Sequence, residues 1–158
     1  MHFDDLAPCT YHSGPLDAGA WRAPLRAIGW LEHPHQFPLG TVPVGLVWRL
    51  RALITQTNEH FPGYRFRGVH ACSLCDAEGR KHGSLGWSQE NLIIPGEDEV
   101  FAAPGGIVHY VEDHRYLPPA AFIAAALACP DCGTTEYLAA LRRANGGHEL
   151  PLRASAPT

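Results

Sequence analysis

Residues 68–75 have the sequence Gly-Val-His-Ala-Cys-Ser-Leu-Cys, which places Cys72 and Cys75 three positions apart directly after a strand-like run. A second pair, His109 and His114, follows, so the chain contains the pattern C-x2-C…H-x4-H with 33 residues between the pairs. Two cysteine thiolates and two histidine imidazoles form a donor set that binds zinc with tetrahedral geometry. The sequence therefore predicts one zinc ion (Zn) held by these four side chains.

The length and composition of the chain fit a single globular domain. With 158 residues, of which 46% are apolar and 18% charged, the chain can bury a core of its own. We predict one zinc-binding domain over residues 1–158. Within it, residues 1–41 are expected to form an extended arm and loop, and residues 145–158 a frayed tail.

Charge and apolar pattern argue against two classes of partner. A formal net charge of −4 does not favour electrostatic capture of nucleic acid or of an anionic membrane. No run approaches the roughly 20 apolar residues of a membrane span, and the amino terminus lacks the apolar segment of a signal peptide. We therefore expect a cytoplasmic protein with reduced cysteines. Four of its five cysteines, in C-x2-C pairs, are better explained as metal ligands than as disulfides.

Apolar periodicity and turn residues predict an α+β fold. The expected helices cover residues 42–57, 105–115, 120–128 and 135–144, and the expected strands cover residues 64–69, 89–94 and 100–103. Thr41 and Thr135 are the expected N-caps of the first and last helices, and Trp48 is expected to pack against the core. The result is a small antiparallel sheet with several helices. Its order of strand, cysteine knuckle, hairpin and helix is that of treble-clef zinc domains.

The spacing of the two histidines predicts a distortion in the helix that carries them. Residues five apart on a regular α-helix point about 140° away from each other, which is too far for one tetrahedral ion. A tightened or opened turn after the first histidine would bring the rings together. We therefore expect a distorted helix between His109 and His114.

A second cysteine pair offers an alternative ligand set. Residues 129–133, Cys-Pro-Asp-Cys-Gly, have the form of a zinc-ribbon knuckle, so four cysteines together would also make a tetrahedral site. The pair follows an alanine-rich helix rather than a strand, however, and its proline and glycine also suit a helix stop. We favour the histidines and leave open their replacement by Cys129 and Cys132.

Residues near the predicted site supply a candidate binding surface. His70 lies two positions before Cys72, on the same side of the strand, and is expected to hydrogen-bond a ligand side chain. The loop of residues 29–40 carries Trp30, His33, His35 and Phe37. In one interpretation these side chains form a binding loop, and in the other the two aromatic residues anchor the arm to the core.

Three motifs in combination resemble one family. They are Gly29-Trp30-Leu31-Glu32 with His35-x-Phe37-Pro38-x-Gly40, then Gly68-x-His70-x-Cys72-x-x-Cys75, then Ala103-Pro104-x-x-Ile107-x-His109-Tyr110-Val111-x-x-His114-x-Tyr116-x-Pro118-Pro119-x-x-Phe122. This pattern is similar to that of a small uncharacterised bacterial protein family of actinobacterial type. The resemblance implies no activity, but it implies that the histidines, rather than Cys129 and Cys132, complete the site.

The donor count favours a structural role for the metal. Four protein donors fill a tetrahedral site, whereas a catalytic zinc keeps one position for water. We therefore expect a zinc-stabilised module of unknown specific role that binds a protein or a small-molecule ligand. The alternative is a metalloenzyme with three protein ligands and a water, in which His70 or Glu112 acts as acid or base.

Overall fold

The computed structural model describes residues 1–10, 21–61, 71–80 and 91–149. These residues form three strands and five helices, which confirms the α+β class. In chain order the elements are β1 (Leu25–Ala27), α1 (Leu46–His60), α2 (Ser73–Ala77), β2 (Asn91–Pro95), β3 (Val100–Pro104), α3 (Ile107–Asp113), α4 (Ala120–Ala128) and α5 (Thr135–Ala144). The predicted strand over residues 64–69 lies outside the described residues.

The sheet is mixed, with the strand order β1-β3-β2. β2 and β3 form the expected antiparallel hairpin, in which Ile93 lies opposite Ala102. The expectation of a purely antiparallel sheet is wrong for one pair, because β1 lies parallel to β3 with Arg26 opposite Phe101. A strand of three residues is too short to show alternation, so β1 leaves no periodic signal in the sequence.

The N-terminal residues cover the outer edge of β1. The N–H of Leu6 donates to the carbonyl of Ala27 at 2.8 Å, and the N–H of Cys9 donates to the carbonyl of Leu25 at 2.7 Å. These bonds satisfy backbone groups that an edge strand would otherwise leave unpaired. The described part of the N-terminal arm thus supplies both a strand and its cover.

Helix α1 packs its apolar face against α3, α4 and β2. This face consists of Leu46, Leu50, Leu53 and Thr57, which recur at helical spacing and are all buried. Trp48 lies on the other side of the helix and is 79% exposed, so the predicted core position of this residue is wrong.

Both predicted N-caps are displaced along the chain. α1 begins after Gly45, whose φ of 92° is a conformation that favours glycine, and not after Thr41. α5 is capped by Thr134, one residue before the predicted Thr135, and the Thr134 hydroxyl accepts from the N–H of Tyr137 at 3.2 Å. The bounds of α4 and α5 themselves agree with the prediction.

Large aromatic side chains fill the space between the sheet and the helices. Tyr116, Phe122 and Tyr137 are among the largest fully buried residues, and the Phe122 ring meets that of Phe101 edge to face at 5.8 Å.

Within the described ranges, no helix combines the length and the apolar content needed to cross a membrane.

Candidate metal centre

The first cysteine pair lies at the start of the short helix α2. Cys72 is the N-cap of α2, and its Sγ accepts a hydrogen bond from the N–H of Cys75 at 3.4 Å. Leu74, between the two cysteines, is buried and fixes the turn to the core. Local turn geometry thus holds the two cysteines together on the core.

Helix α3 carries the histidine pair and ends just before its second member. His109 lies within α3, whereas His114 is the C-cap, with φ −113° and ψ 4°. Arg115 follows with a φ of 56°, and the carbonyl of Tyr110 accepts from the N–H of His114 at 3.2 Å and from that of Tyr116 at 2.9 Å. The chain leaves the helical path at His114, and the two imidazole rings meet at a centroid distance of 4.9 Å. The expected distortion therefore occurs at the end of the helix rather than directly after His109.

These two elements bring together four side chains, which we name the Cys2His2 cluster: Cys72, Cys75, His109 and His114. Their ligand atoms all lie within 4.8 Å of one another. Sγ of Cys75 is 3.3 Å from Nε2 of each histidine, and Sγ of Cys72 is 3.3 Å from Nε2 of His114. Zinc bonds of about 2.3 Å to sulfur and about 2.0 Å to nitrogen would place tetrahedral S and N donors roughly 3.5 Å apart. The donor spacing therefore fits a zinc ion between them.

The Cys2His2 cluster is buried, and burial favours the neutral forms of Cys75 and His114. None of the four residues is more than 8% exposed. Burial and the adjacent Cys72 thiol raise the pKa of Cys75 to about 11, while burial and the nearby His109 ring lower the pKa of His114. Two thiolates in this position need a cation beside them, and a divalent metal ion would balance both negative charges.

An acidic side chain orients the ring of His109. Oδ2 of Asp113 lies 2.5 Å from Nδ1 of His109, which is four residues earlier. A carboxylate at this distance holds the ring proton on Nδ1 and leaves the lone pair of Nε2 directed at the cysteine sulfur, as is usual for metal-binding histidines. The sequence interpretation missed Asp113, although its i+4 spacing from His109 is a readable signal.

A charged pair surrounds the outer nitrogen of His114. Nη2 of Arg80 lies 3.2 Å and Oε1 of Glu78 lies 3.6 Å from Nδ1 of His114, and Nε of Arg80 donates to Oε2 of Glu78 at 2.5 Å. The backbone N–H of Arg80 also donates to the carbonyl of Cys75 at 2.9 Å, which attaches the pair to the cysteine turn. The Glu78 carboxylate thus lies near Nδ1 of His114, at a distance longer than a hydrogen bond. Sequence reasoning missed both residues, because they follow the cysteine turn without a motif of their own.

The second cysteine pair does not join the cluster. Among the described residues, the Cys2His2 cluster is the one place where three or more potential metal ligands meet. Cys129 and Cys132 are buried in the turn after α4, where the N–H of Cys132 donates to Oε1 of Gln56 at 2.9 Å and its thiol lies 3.6 Å from the Thr57 hydroxyl. Gly133 follows with a φ of 82°. This turn ends a helix and ties it to α1, which agrees with the helix-stop interpretation.

The predicted binding loop is divided between the core and the surface. Trp30 is buried, and its Nε1–H donates to the carbonyl of Ala102 at 3.0 Å, so it anchors the arm. Phe37 is half-buried and packs against the core. His33 and His35 are exposed, and the ring of His35 stacks on that of His2 at a centroid distance of 3.8 Å.

One of the two residues considered as acid or base, Glu112, is held in an ion pair with Arg51. Oε2 of Glu112 accepts from Nη2 of Arg51 at 2.6 Å, and both side chains are largely exposed. His70 lies outside the described residues. Among the described residues, Asp113 and Glu78 lie against the histidines of the cluster, and the ring of Tyr110 lies 5.8 Å from that of His109 and 6.3 Å from that of His114. These are the groups near the cluster that the metalloenzyme alternative could use as acid or base.

The fold and the buried Cys2His2 cluster define a small α+β domain that offers four donors to a metal ion. A family model described as "Domain of unknown function (DUF7919)" matches residues 1–127, and the chain belongs to this family. The match contains the whole cluster and ends before Cys129 and Cys132. Comparison with curated proteins and with solved structures found no match. The resemblance to an uncharacterised family is thus confirmed at that level, while the bacterial source and the motif pattern stay predictions.

Proposed function

We propose that this protein is a zinc-stabilised binding module, in which Cys72, Cys75, His109 and His114 hold one structural zinc ion. One observation carries the proposal: four buried protein donors converge within 4.8 Å. Four such donors complete a tetrahedral shell, so no position is left for a water or a substrate. The metal would then lock the cysteine turn to the end of α3 rather than perform chemistry.

The polar surroundings of the cluster support the same role. The Asp113 carboxylate holds His109, and the Arg80–Glu78 pair lies against His114. A carboxylate on the outer nitrogen fixes the ring of His109 and strengthens it as a ligand, while the charged pair limits the movement of His114. A reducing cytoplasm, which we propose as the location, would keep the cysteine thiols available to the metal.

An exposed apolar surface next to α3 supports a binding function. Val44 is fully exposed and Trp48 is 79% exposed, and together with Pro43 they line a cavity of about 520 Å³ beside the Arg51–Glu112 ion pair. Exposed tryptophan beside a rigid framework is typical of protein and small-molecule binding sites. We propose this surface, rather than Trp30, as the place where a protein or small-molecule ligand binds.

Metal content tests the first half of the proposal. Elemental analysis of the purified protein should find one zinc per chain, and the Cys72→Ser and His109→Ala variants should lose it. Free zinc at about 100 times its Kd should stabilise the fold by about 2.7 kcal/mol, which raises Tm of a chain of this size by roughly 5–10 °C. A protein without zinc, or variants that retain it fully, would end the proposal.

Cobalt substitution separates the structural site from the catalytic alternative. Co²⁺ bound by two thiolates and two imidazoles is tetrahedral, and its visible spectrum reports a change of any ligand. If all four ligands are protein side chains, adding azide or cyanide at concentrations that do not strip the metal should leave the spectrum unchanged. A new spectrum with bound anion would instead reveal an exchangeable position and support the metalloenzyme.

A further inference from the structure

A groove between α4 and α5 leaves an apolar face uncovered. The groove encloses about 980 Å³. Its alanine walls consist of Ala121, Ala124, Ala125 and Ala128 of α4 with Ala139 and Ala140 of α5. α4 contains no polar residue, yet its buried residues are just Phe122 and Ala126. Leu127 of the same helix is 43% exposed. A helix that is apolar all round is normally covered on every side, so this face suits a partner surface.

Two opposite charges mark the ends of α5 where it borders the groove. Glu136 and Arg143 both line the groove and are both exposed, and neither forms an ion pair with another described residue. They are seven positions apart, which places them on the same side of the helix about 10 Å from each other along its axis. Ala139 lies between them on that side. The helix therefore presents a negative end, a small residue and a positive end in one line.

We propose that a second copy of this chain covers the groove, with α5 of each copy packed antiparallel to α5 of the other. The charges are complementary to themselves under a two-fold axis, because Glu136 of each chain then meets Arg143 of its partner. The axis passes between Ala139 and Ala140, where the small side chains allow the two helices to approach closely.

The cavities on both sides of α5 agree with this packing. A second cavity, of about 620 Å³, lies on the other flank of α5 and shares Ala139 and Arg143 with the first. α5 is thus a ridge between two grooves, and a ridge of one copy can pack into the groove of the other. Leu138, which is 41% exposed, lines the second cavity on the flank of α5 away from Glu136, so it lies outside the proposed contact.

Sedimentation of the zinc-loaded full chain, from micromolar to hundreds of micromolar concentration, tests the proposal. The wild type should reach twice the chain mass of 17.2 kDa. Glu136→Arg and Arg143→Glu should each weaken the dimer by about tenfold or more, because each places like charges in contact at two symmetric positions. The double variant Glu136→Arg/Arg143→Glu should restore it, because the exchanged charges pair again. Glu59→Arg, a matched charge change on the exposed side of α1, should leave the dimer unchanged.

Three outcomes would overturn the proposal. A chain that stays monomeric at every concentration leaves the groove to a different protein. A dimer that survives both single substitutions, or one that the double variant fails to restore, uses another surface. Zinc content and circular dichroism, measured on each variant, separate these results from loss of the metal or of the fold, since the α5 residues do not contact the Cys2His2 cluster.

Discussion

The carboxylate of Asp113 should strengthen zinc binding through His109 without touching the metal. Its Oδ2 lies 2.5 Å from Nδ1 of His109, and the side chain is 47% exposed. Replacing a carboxylate that holds a ligating histidine typically costs 10–100-fold in metal affinity, or about 1.4–2.7 kcal/mol. Because solvent screens the half-exposed Asp113, we expect the lower end: about tenfold for Asp113→Asn, which keeps a hydrogen-bond acceptor but loses the charge.

A competition titration between the protein and a chromogenic zinc chelator measures this change. Glu112→Gln is the matched control, because Glu112 is the preceding residue and pairs with Arg51 instead of a histidine. The control should bind zinc within about twofold of the wild type, since exposed ion pairs contribute little. Equal affinities for Asp113→Asn and the wild type, or an equal loss in the control, would refute the role assigned to the carboxylate.

The remaining predictions concern the cysteines and the tryptophans. Cys129→Ala and Cys132→Ala should retain one zinc per chain in elemental analysis. Loss of zinc from either variant would indicate that the second cysteine pair binds the metal. Trp30→Phe should lower the free energy of unfolding by about 1–3 kcal/mol in urea titrations, because the carbonyl of Ala102 keeps the N–H of Ile28 but loses its indole donor, and the smaller ring leaves a cavity. Trp48→Phe should change that free energy by less than about 0.5 kcal/mol, because the side chain is exposed, and a large loss would place it in the core.

Short-range signals explain what could be predicted from the sequence. The prolines before α4 and the glycines after α5 bound those helices, so their limits agree with the structure. The acidic turn of residues 96–99 similarly indicated the β2–β3 hairpin. The spacing of Cys72 and Cys75, and the helix that carries His109, were likewise enough to predict which four side chains come together. Whether they bind zinc stays a prediction.

Features that depend on distant parts of the chain could not be predicted from the sequence. β1 pairs with β3, about 75 residues away in the chain, and its parallel direction is decided by that partner. The apolar stripe of α1 has two flanks, and local periodicity could not tell which flank faces solvent, so Trp48 was misplaced. The position of Arg80 and Glu78 beside His114 likewise depends on how the cysteine turn packs against α3.

X-ray absorption at the zinc edge of the purified protein tests the proposed structural site most directly. We predict a first shell of two sulfurs at about 2.3 Å and two nitrogens at about 2.0–2.1 Å. A shell of four sulfurs, a shell with an oxygen in place of one ligand, or a protein that contains no zinc would contradict it.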